Sequence, residues 1–156
     1  MIRLAILQVL ITSILLSNNS HPIILVHGFL GWGKEEVGDK NYWGGENDIE
    51  KYLNDRGYQV YSVSLGPVSS TYDCAIETFY QIKGGQVDYG QEHSEKYKII
   101  RKPEGKIYKG LYPEWNEENP VHLIGYSFGG LTNRMLLHLL NSCLLYTSDA
   151  ADDNVG

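Results

Sequence analysis

Apolar positions along this chain come in two patterns, short unbroken runs and longer stretches with helical spacing, and the two alternate. Pro22-Ile23-Ile24-Leu25-Val26 is a continuous apolar run bounded by polar residues, which predicts a strand buried on both faces of a parallel sheet. Asn47-Asp48-Ile49-Glu50 resembles a capping box; Ile49, Tyr52 and Leu53 then define one apolar face, and Gly57 ends that helix. Tyr58 to Leu65 predicts a second strand, broken by Gly66-Pro67. Ser70 is placed to cap a helix that runs to Lys83 and stops at Gly84-Gly85, with Ile76, Phe79 and Tyr80 turned to the core. Residues 84–119 carry no clear period and are too long for an ordinary loop, so they predict an inserted subdomain or a lid-side excursion. Val121 to Ile124 gives a third strand and Leu131 to Leu140 a last helix. Strands and helices in this order predict an α/β fold, a parallel sheet with right-handed crossovers and flanking helices. There is no internal repeat.

Between the third strand and the last helix stands Gly125-Tyr126-Ser127-Phe128-Gly129, a G-x-S-x-G pattern. A nucleophile elbow needs a sharp strand-to-helix turn with a serine in strained backbone geometry at its tip, and flanking residues without a Cβ where strand and helix crowd. The pattern in this context predicts an α/β-hydrolase with Ser127 as catalytic nucleophile, the competing reading being a Gly-rich strand-to-helix turn with an incidental serine. A second motif, His27-Gly28-Phe29, follows the first strand. In such enzymes the loop after that strand supplies one backbone N–H of the oxyanion hole, and the residue after the nucleophile supplies the other. Phe29 and Phe128 are the candidates. His27 has two readings, general base or structural histidine shaping that loop, and the second is favoured.

Charge and composition narrow the partners. The 156 residues carry 13 basic and 19 acidic side chains for a net charge of −6, with no basic stripe, which argues against nucleic acid. Twelve tyrosines suit half-buried clefts. Arg3 followed by the apolar stretch Leu4 to Leu16 and the small polar run Ser17-Asn18-Asn19-Ser20 predicts a secretory signal over residues 1–20, the competing readings being an uncleaved anchor or a buried helix. Two cysteines, Cys74 and Cys143, are too few for a disulfide framework, and Cys74 is expected as a small buried helical residue. Residues 143–156 supply no further βα unit, and the acidic run Asp149-Ala150-Ala151-Asp152-Asp153 fits translated adapter or frame-shifted sequence, or a disordered end.

Several runs in order carry a family resemblance: Ile24 through Trp32 (ILVHGFLGW), Tyr42-Trp43-Gly44-Gly45, Lys83-Gly84-Gly85, Val87-Asp88-Tyr89-Gly90 and His122 through Ser127 (HLIGYS). Pro22 to Ser142 resembles the secreted bacterial lipases of the staphylococcal and thermophilic-bacillus type. The resemblance implies a secreted triacylglycerol lipase working at a lipid–water interface with no stable protein partner. It also implies that this chain matches only the first part of such an enzyme, because the family continues through a lid helix, the triad acid and the triad histidine. The one histidine after Ser127 is His138, inside the last helix and out of place for a triad base.

Two departures from the family stand out. Tyr126 occupies the position before the nucleophile where the family usually has His. The family's structural zinc site uses two Asp and two His: Asp73 and His93 match the first of each, Ile99 falls near the second His, and the second Asp lies beyond the chain. The zinc site is therefore incomplete here, and no cofactor is required for the chemistry. Asp73 also reads as an N-terminal helix carboxylate and His93 as a solvated loop histidine. The competing functions are a non-catalytic lipid-binding or interaction protein on the same scaffold, and a carboxylesterase or acyltransferase. Residues 1–156 alone are expected to lack activity and to aggregate through an exposed sheet edge and an uncovered face of Leu131, Leu136, Leu137 and Leu140.

Overall fold

The computed structural model describes residues 21–34 and 36–142. The signal and tail expectations, on residues 1–20 and 143–156, lie outside the described residues. The elements are β1 (Ile23–Val26), α1 (Ile49–Asn54), β2 (Val60–Ser62), α2 (Thr71–Lys83), β3 (Gly85–Gln86), α3 (Gln91–Tyr97), β4 (Ile107–Tyr108), β5 (His122–Gly125) and α4 (Phe128–Asn141).

β1 is the middle strand of a parallel sheet ordered β2-β1-β5, with Leu25 opposite Ser62 on one side and Ile124 on the other. Its central position explains its unbroken apolar run: Ile24, Leu25 and Val26 are all buried. The second strand is shorter than its sequence suggested. Pairing stops at Ser62, but Val63 still donates its N–H to the Leu25 carbonyl at 3.1 Å, and Val63 and Leu65 carry the apolar run on into the core.

α2 is the hub. Ser70 caps it, accepting the Asp73 N–H at 3.1 Å, and Cys74 to Ile82 are buried without a break. One side of α2 joins Cys74 and Ile82 to Ile24, Val26, Val63 and Leu65 from the sheet. The other side joins Ile76, Phe79 and Tyr80 to Val87 and Tyr89 of the insert and to Leu136 and Leu139 of α4. Burial raises the Cys74 thiol to about 12, so it is an inert packing group as expected.

Two apolar faces differ from their sequence reading. Ile49 and Tyr52 of α1 are exposed and no residue of that helix is buried; Tyr52 instead lies under the Arg56 guanidinium, 3.4 Å from its ring centroid. The strand that α1 packs against is the three-residue edge strand β2, which leaves that face open. On α4, Leu136 is fully buried rather than uncovered, because α4 packs along α2; Leu131 and Leu137 remain exposed.

The insert has its own structure: an antiparallel β3-β4 ribbon and α3. Carboxylates fasten it. Glu77 of α2, 1% exposed, accepts the Tyr89 hydroxyl at 2.7 Å and pairs with Lys106 Nζ at 2.6 Å. Burial and that hydrogen bond push the Tyr89 phenol up. Asp88 accepts both Arg101 Nε at 2.7 Å and Arg101 Nη2 at 2.6 Å. Burial alone would raise its carboxyl; the Arg101 hydrogen bonds and the Gly90 N–H outweigh it and hold it below the ordinary value. Of the insert's aromatic residues, Tyr108, Tyr112 and Trp115 pack on the core, whereas Tyr97 stays exposed beside His93.

Candidate active site

The turn from β5 to α4 brings three backbone segments together with no side chain between them. A Cβ on Gly125 would lie 2.4 Å from the Gly129 carbonyl carbon, and one on Gly129 would lie 2.1 Å from the Val26 oxygen. Only glycine fits at both places. Ser127 sits at the tip with φ 54° and ψ −122°, a conformation costing a non-glycine residue about 1–3 kcal/mol. The turn is fixed by Tyr126 N–H on the Val26 carbonyl (3.2 Å), Gly129 N–H on Tyr126 (2.9 Å) and Gly130 N–H on Ser127 (3.1 Å). The Ser127 side chain is exposed, and α4 starts immediately after it with no side-chain cap.

The loop after β1 lies against this turn: a Cβ on Gly28 would meet the Ser127 Cβ at 3.0 Å. His27, at its base, is buried and uses both ring nitrogens. Nε2 accepts the Leu65 N–H at 2.9 Å, which leaves Nδ1 to carry the hydrogen and donate it to the Gly28 carbonyl at 3.0 Å. The geometry thus makes His27 a structural residue of the loop, with no nitrogen left to act as a base. Leu30 N–H goes to the Pro67 carbonyl at 2.8 Å and Gly28 N–H to the Tyr42 hydroxyl at 3.1 Å. The N–H of Phe29 between them, and that of Phe128 at the start of α4, are donated to no acceptor among the described residues. The Phe29 and Phe128 rings meet edge to face at 6.5 Å. Tyr42 was not singled out from sequence as a site residue; its only signal was the Tyr42-Trp43-Gly44-Gly45 run.

Around the turn the surface is apolar and open: Phe29 is 59% exposed, Leu30 60% and Tyr126 63%. Beside Tyr126 lies a cavity of about 520 Å³ walled by Trp32, Tyr42 and Trp43. His138 is on the exposed side of α4 near its C-terminus.

The structure also brings Asp73 and His93 together. His93 Nε2 is 2.8 Å from Asp73 Oδ1, its ring is stacked on Tyr72 at 4.0 Å, and Asp73 Oδ2 accepts the Ser70 hydroxyl at 2.8 Å. The two supply half the donors of a tetrahedral zinc site, and among the described residues no group of three or more His, Cys, Asp or Glu is placed to hold a metal. As they stand, the pair fastens α3 to the start of α2.

A family model described as "Lipase-like, C-terminal domain" matches residues 19–144. The chain belongs to this family. It is 42% identical over 124 residues to the lipase of Staphylococcus hyicus, a match covering 78% of this chain and 19% of that protein. Among solved structures, lipase 1 from Pelosinus fermentans superposes with a TM-score of 0.74 at 48% identity, covering 79% of this chain and 33% of that one. EstA from Clostridium botulinum superposes with a TM-score of 0.75 at 46% identity, covering 78% and 28%. The chain thus spans about a fifth of the curated relative and about a third of the solved ones. The expected kinship with staphylococcal lipases holds, and so does the parallel sheet with flanking helices.

Proposed function

We propose that this chain carries the nucleophile and oxyanion hole of a secreted serine ester hydrolase, a triacylglycerol lipase. The observation that supports it most is the strained, exposed Ser127 set beside two undonated backbone N–H groups, of Phe29 and Phe128. In this reading Ser127 Oγ attacks the ester carbonyl carbon while its proton passes to a histidine, and the carbonyl oxygen becomes an oxyanion facing the two N–H groups. Collapse breaks the bond to the alcohol, which leaves with that proton. Water then releases the acid from the acyl-enzyme by the same steps. Neither His27 nor His138 is placed to be the base, so the histidine and its acid are assigned to sequence that the longer relatives possess and this chain does not span. The exposed Phe29, Leu30 and Tyr126 give the rim an apolar face suited to a lipid–water interface. Export rests on the apolar N-terminal stretch.

The test is Ser127→Ala in the full-length protein. Turnover of p-nitrophenyl esters is expected to fall by at least about 10⁴, and a fluorophosphonate probe is expected to label Ser127. Labelling of another residue, or retained turnover, overturns the assignment.

A further inference from the structure

The loop carrying Tyr42 is distant in sequence from Ser127 but closes on the same turn. Asn41 and Gly45 exchange backbone hydrogen bonds of 3.1 and 3.0 Å. The reversal needs Gly44 at φ +101°, where a Cβ would strike the Asn47 oxygen at 1.9 Å. This tight loop presents Tyr42 with its ring walled by His27 (5.6 Å), Trp32 (5.3 Å), Trp43 (5.6 Å) and Tyr126 (6.4 Å). A ring so enclosed has little freedom, and its hydroxyl is held where it accepts the Gly28 N–H at 3.1 Å. Tyr42 Oη and Ser127 Cβ flank one glycine: a Cβ on Gly28 would lie 3.1 Å from the first and 3.0 Å from the second.

Gly28 is the hinge of the loop, since glycine restricts φ and ψ least. Its two flanking peptides are pinned by different partners. The peptide after it is fixed through its carbonyl, which accepts His27 Nδ1–H and Gly31 N–H, both at 3.0 Å. That peptide is trans, so anchoring its carbonyl sets the line along which the Phe29 N–H points. The peptide before it is fixed through its N–H, and there the Tyr42 hydroxyl is the acceptor. Without that bond the peptide before Gly28 loses its side-chain acceptor, and the aim of the Phe29 N–H rests on the Gly28 carbonyl contacts alone.

We propose that Tyr42 is a positioning residue of the ester site: its hydroxyl fixes the peptide before Gly28 and so steadies the loop in which the Gly28 carbonyl contacts aim the Phe29 N–H at the oxyanion. This rests on Phe29 being an oxyanion donor, as argued under Proposed function. A donor matters most when charge develops on the carbonyl oxygen, so the Tyr42 bond acts on the transition state more than on substrate binding.

The experiment compares wild type, Tyr42→Phe and Ser127→Ala in the full-length protein on a soluble p-nitrophenyl ester. Tyr42→Phe keeps the ring and its packing. It is expected to lower kcat about tenfold with KM unchanged, to slow fluorophosphonate inactivation by a similar factor, and to leave the melting temperature near that of wild type. If Ser127→Ala is dead and Tyr42→Phe has wild-type kcat, the role of Tyr42 is overturned while the ester reading stands. A rise in KM alone makes Tyr42 a substrate contact, and a loss of kcat that follows a lowered melting temperature makes it merely structural; either overturns the proposal. If Ser127→Ala retains full turnover, the ester reading itself fails and takes this inference with it.

Discussion

Around Gly125 and Gly129 the backbones of β5 and α4 lie directly against that of β1, with no side chain between them; behind α2, by contrast, carboxylates hold the insert, Glu77 of α2 gripping its Lys106 and Tyr89, and Asp88 gripping Arg101 within it. The first arrangement is short-range and steric. Added atoms there would meet backbone at 2.1–2.4 Å, a tightness that fits the aiming of a hydroxyl and two N–H groups proposed for this turn. The second arrangement is electrostatic and acts through side chains rather than backbone. It can hold a ribbon and a helix that bury little of their own surface, at the cost of desolvating charge. Precision of the site and attachment of the insert therefore answer to different perturbations.

The largest stability effect is expected on the charged side. Lys106→Met leaves the Glu77 carboxylate buried with the Tyr89 hydroxyl as its one remaining partner among the described residues. Removing one partner of a buried pair costs about 3–5 kcal/mol, and chemical denaturation measures it. If the two regions are independent, Ser127 of the folded fraction still reacts with a fluorophosphonate at the wild-type rate. A large fall in that rate would break the comparison.

Gly129→Ala is the converse experiment. The added methyl would overlap the Val26 carbonyl oxygen at 2.1 Å, backbone against backbone, so relief requires shifting β1 or α4. Overpacking of this kind costs about 1–3 kcal/mol. Its effect on function is expected to be far larger than its effect on stability: displacing the turn by even a fraction of an ångström moves Ser127 from the Phe29 N–H, and labelling should fall by about 100-fold. Wild-type labelling in this variant would show that the close approach does not aim the serine.

The same contrast explains what the sequence made legible. β1, α2 and the strand-to-helix turn at Ser127 are readable because their determinants are local: an unbroken apolar run, Ser70 before the helix with Gly84 after it, and glycines at fixed offsets from Ser127. The insert is not, because Glu77 to Lys106 and Asp88 to Arg101 join residues whose pairing no periodicity announces. α1 was misjudged for a related reason. Ile49, Tyr52 and Leu53 have helical spacing, but spacing cannot say whether a neighbour is present to cover them, and the edge strand β2 is too short to do so. Tyr42 was missed because its role depends on one hydrogen bond to Gly28, fourteen residues back along the chain.

Acid should loosen the charged side before the glycine-packed one. The folded-state carboxyl of Asp88 is held below its ordinary value by Arg101, against the opposing effect of burial. Such a group contributes stability that is fully present above its unfolded pKa of about 3.9 and is lost as pH falls through its lower folded value. Denaturation midpoints are therefore expected to hold down to about pH 5 and to drop on further acidification. Arg101→Met is expected to flatten that drop. An unchanged acid limb in the variant would mean that other carboxylates govern it.

The smallest expected effect lies where α3 of the insert meets the start of α2. Ser70 Oγ accepts the Asp73 N–H at 3.1 Å and donates to Asp73 Oδ2 at 2.8 Å, while Asp73 Oδ1 holds His93 of the insert at 2.8 Å. Losing a serine cap costs about 1 kcal/mol, so Ser70→Ala should lower stability by that amount. If the cap serves only the helix, hydrogen exchange should speed up in the first turn of α2 and nowhere else. If Ser70 also orients Asp73 toward His93, amides of α3 should exchange faster as well, because one carboxylate oxygen has lost the donor that fixes its rotamer. The second outcome is expected, since the Ser70 and His93 bonds fall on opposite oxygens of the same carboxylate and neither alone determines its plane. Exchange confined to α2 would separate the cap from the insert and leave the His93 stack on Tyr72 as what holds α3 in place.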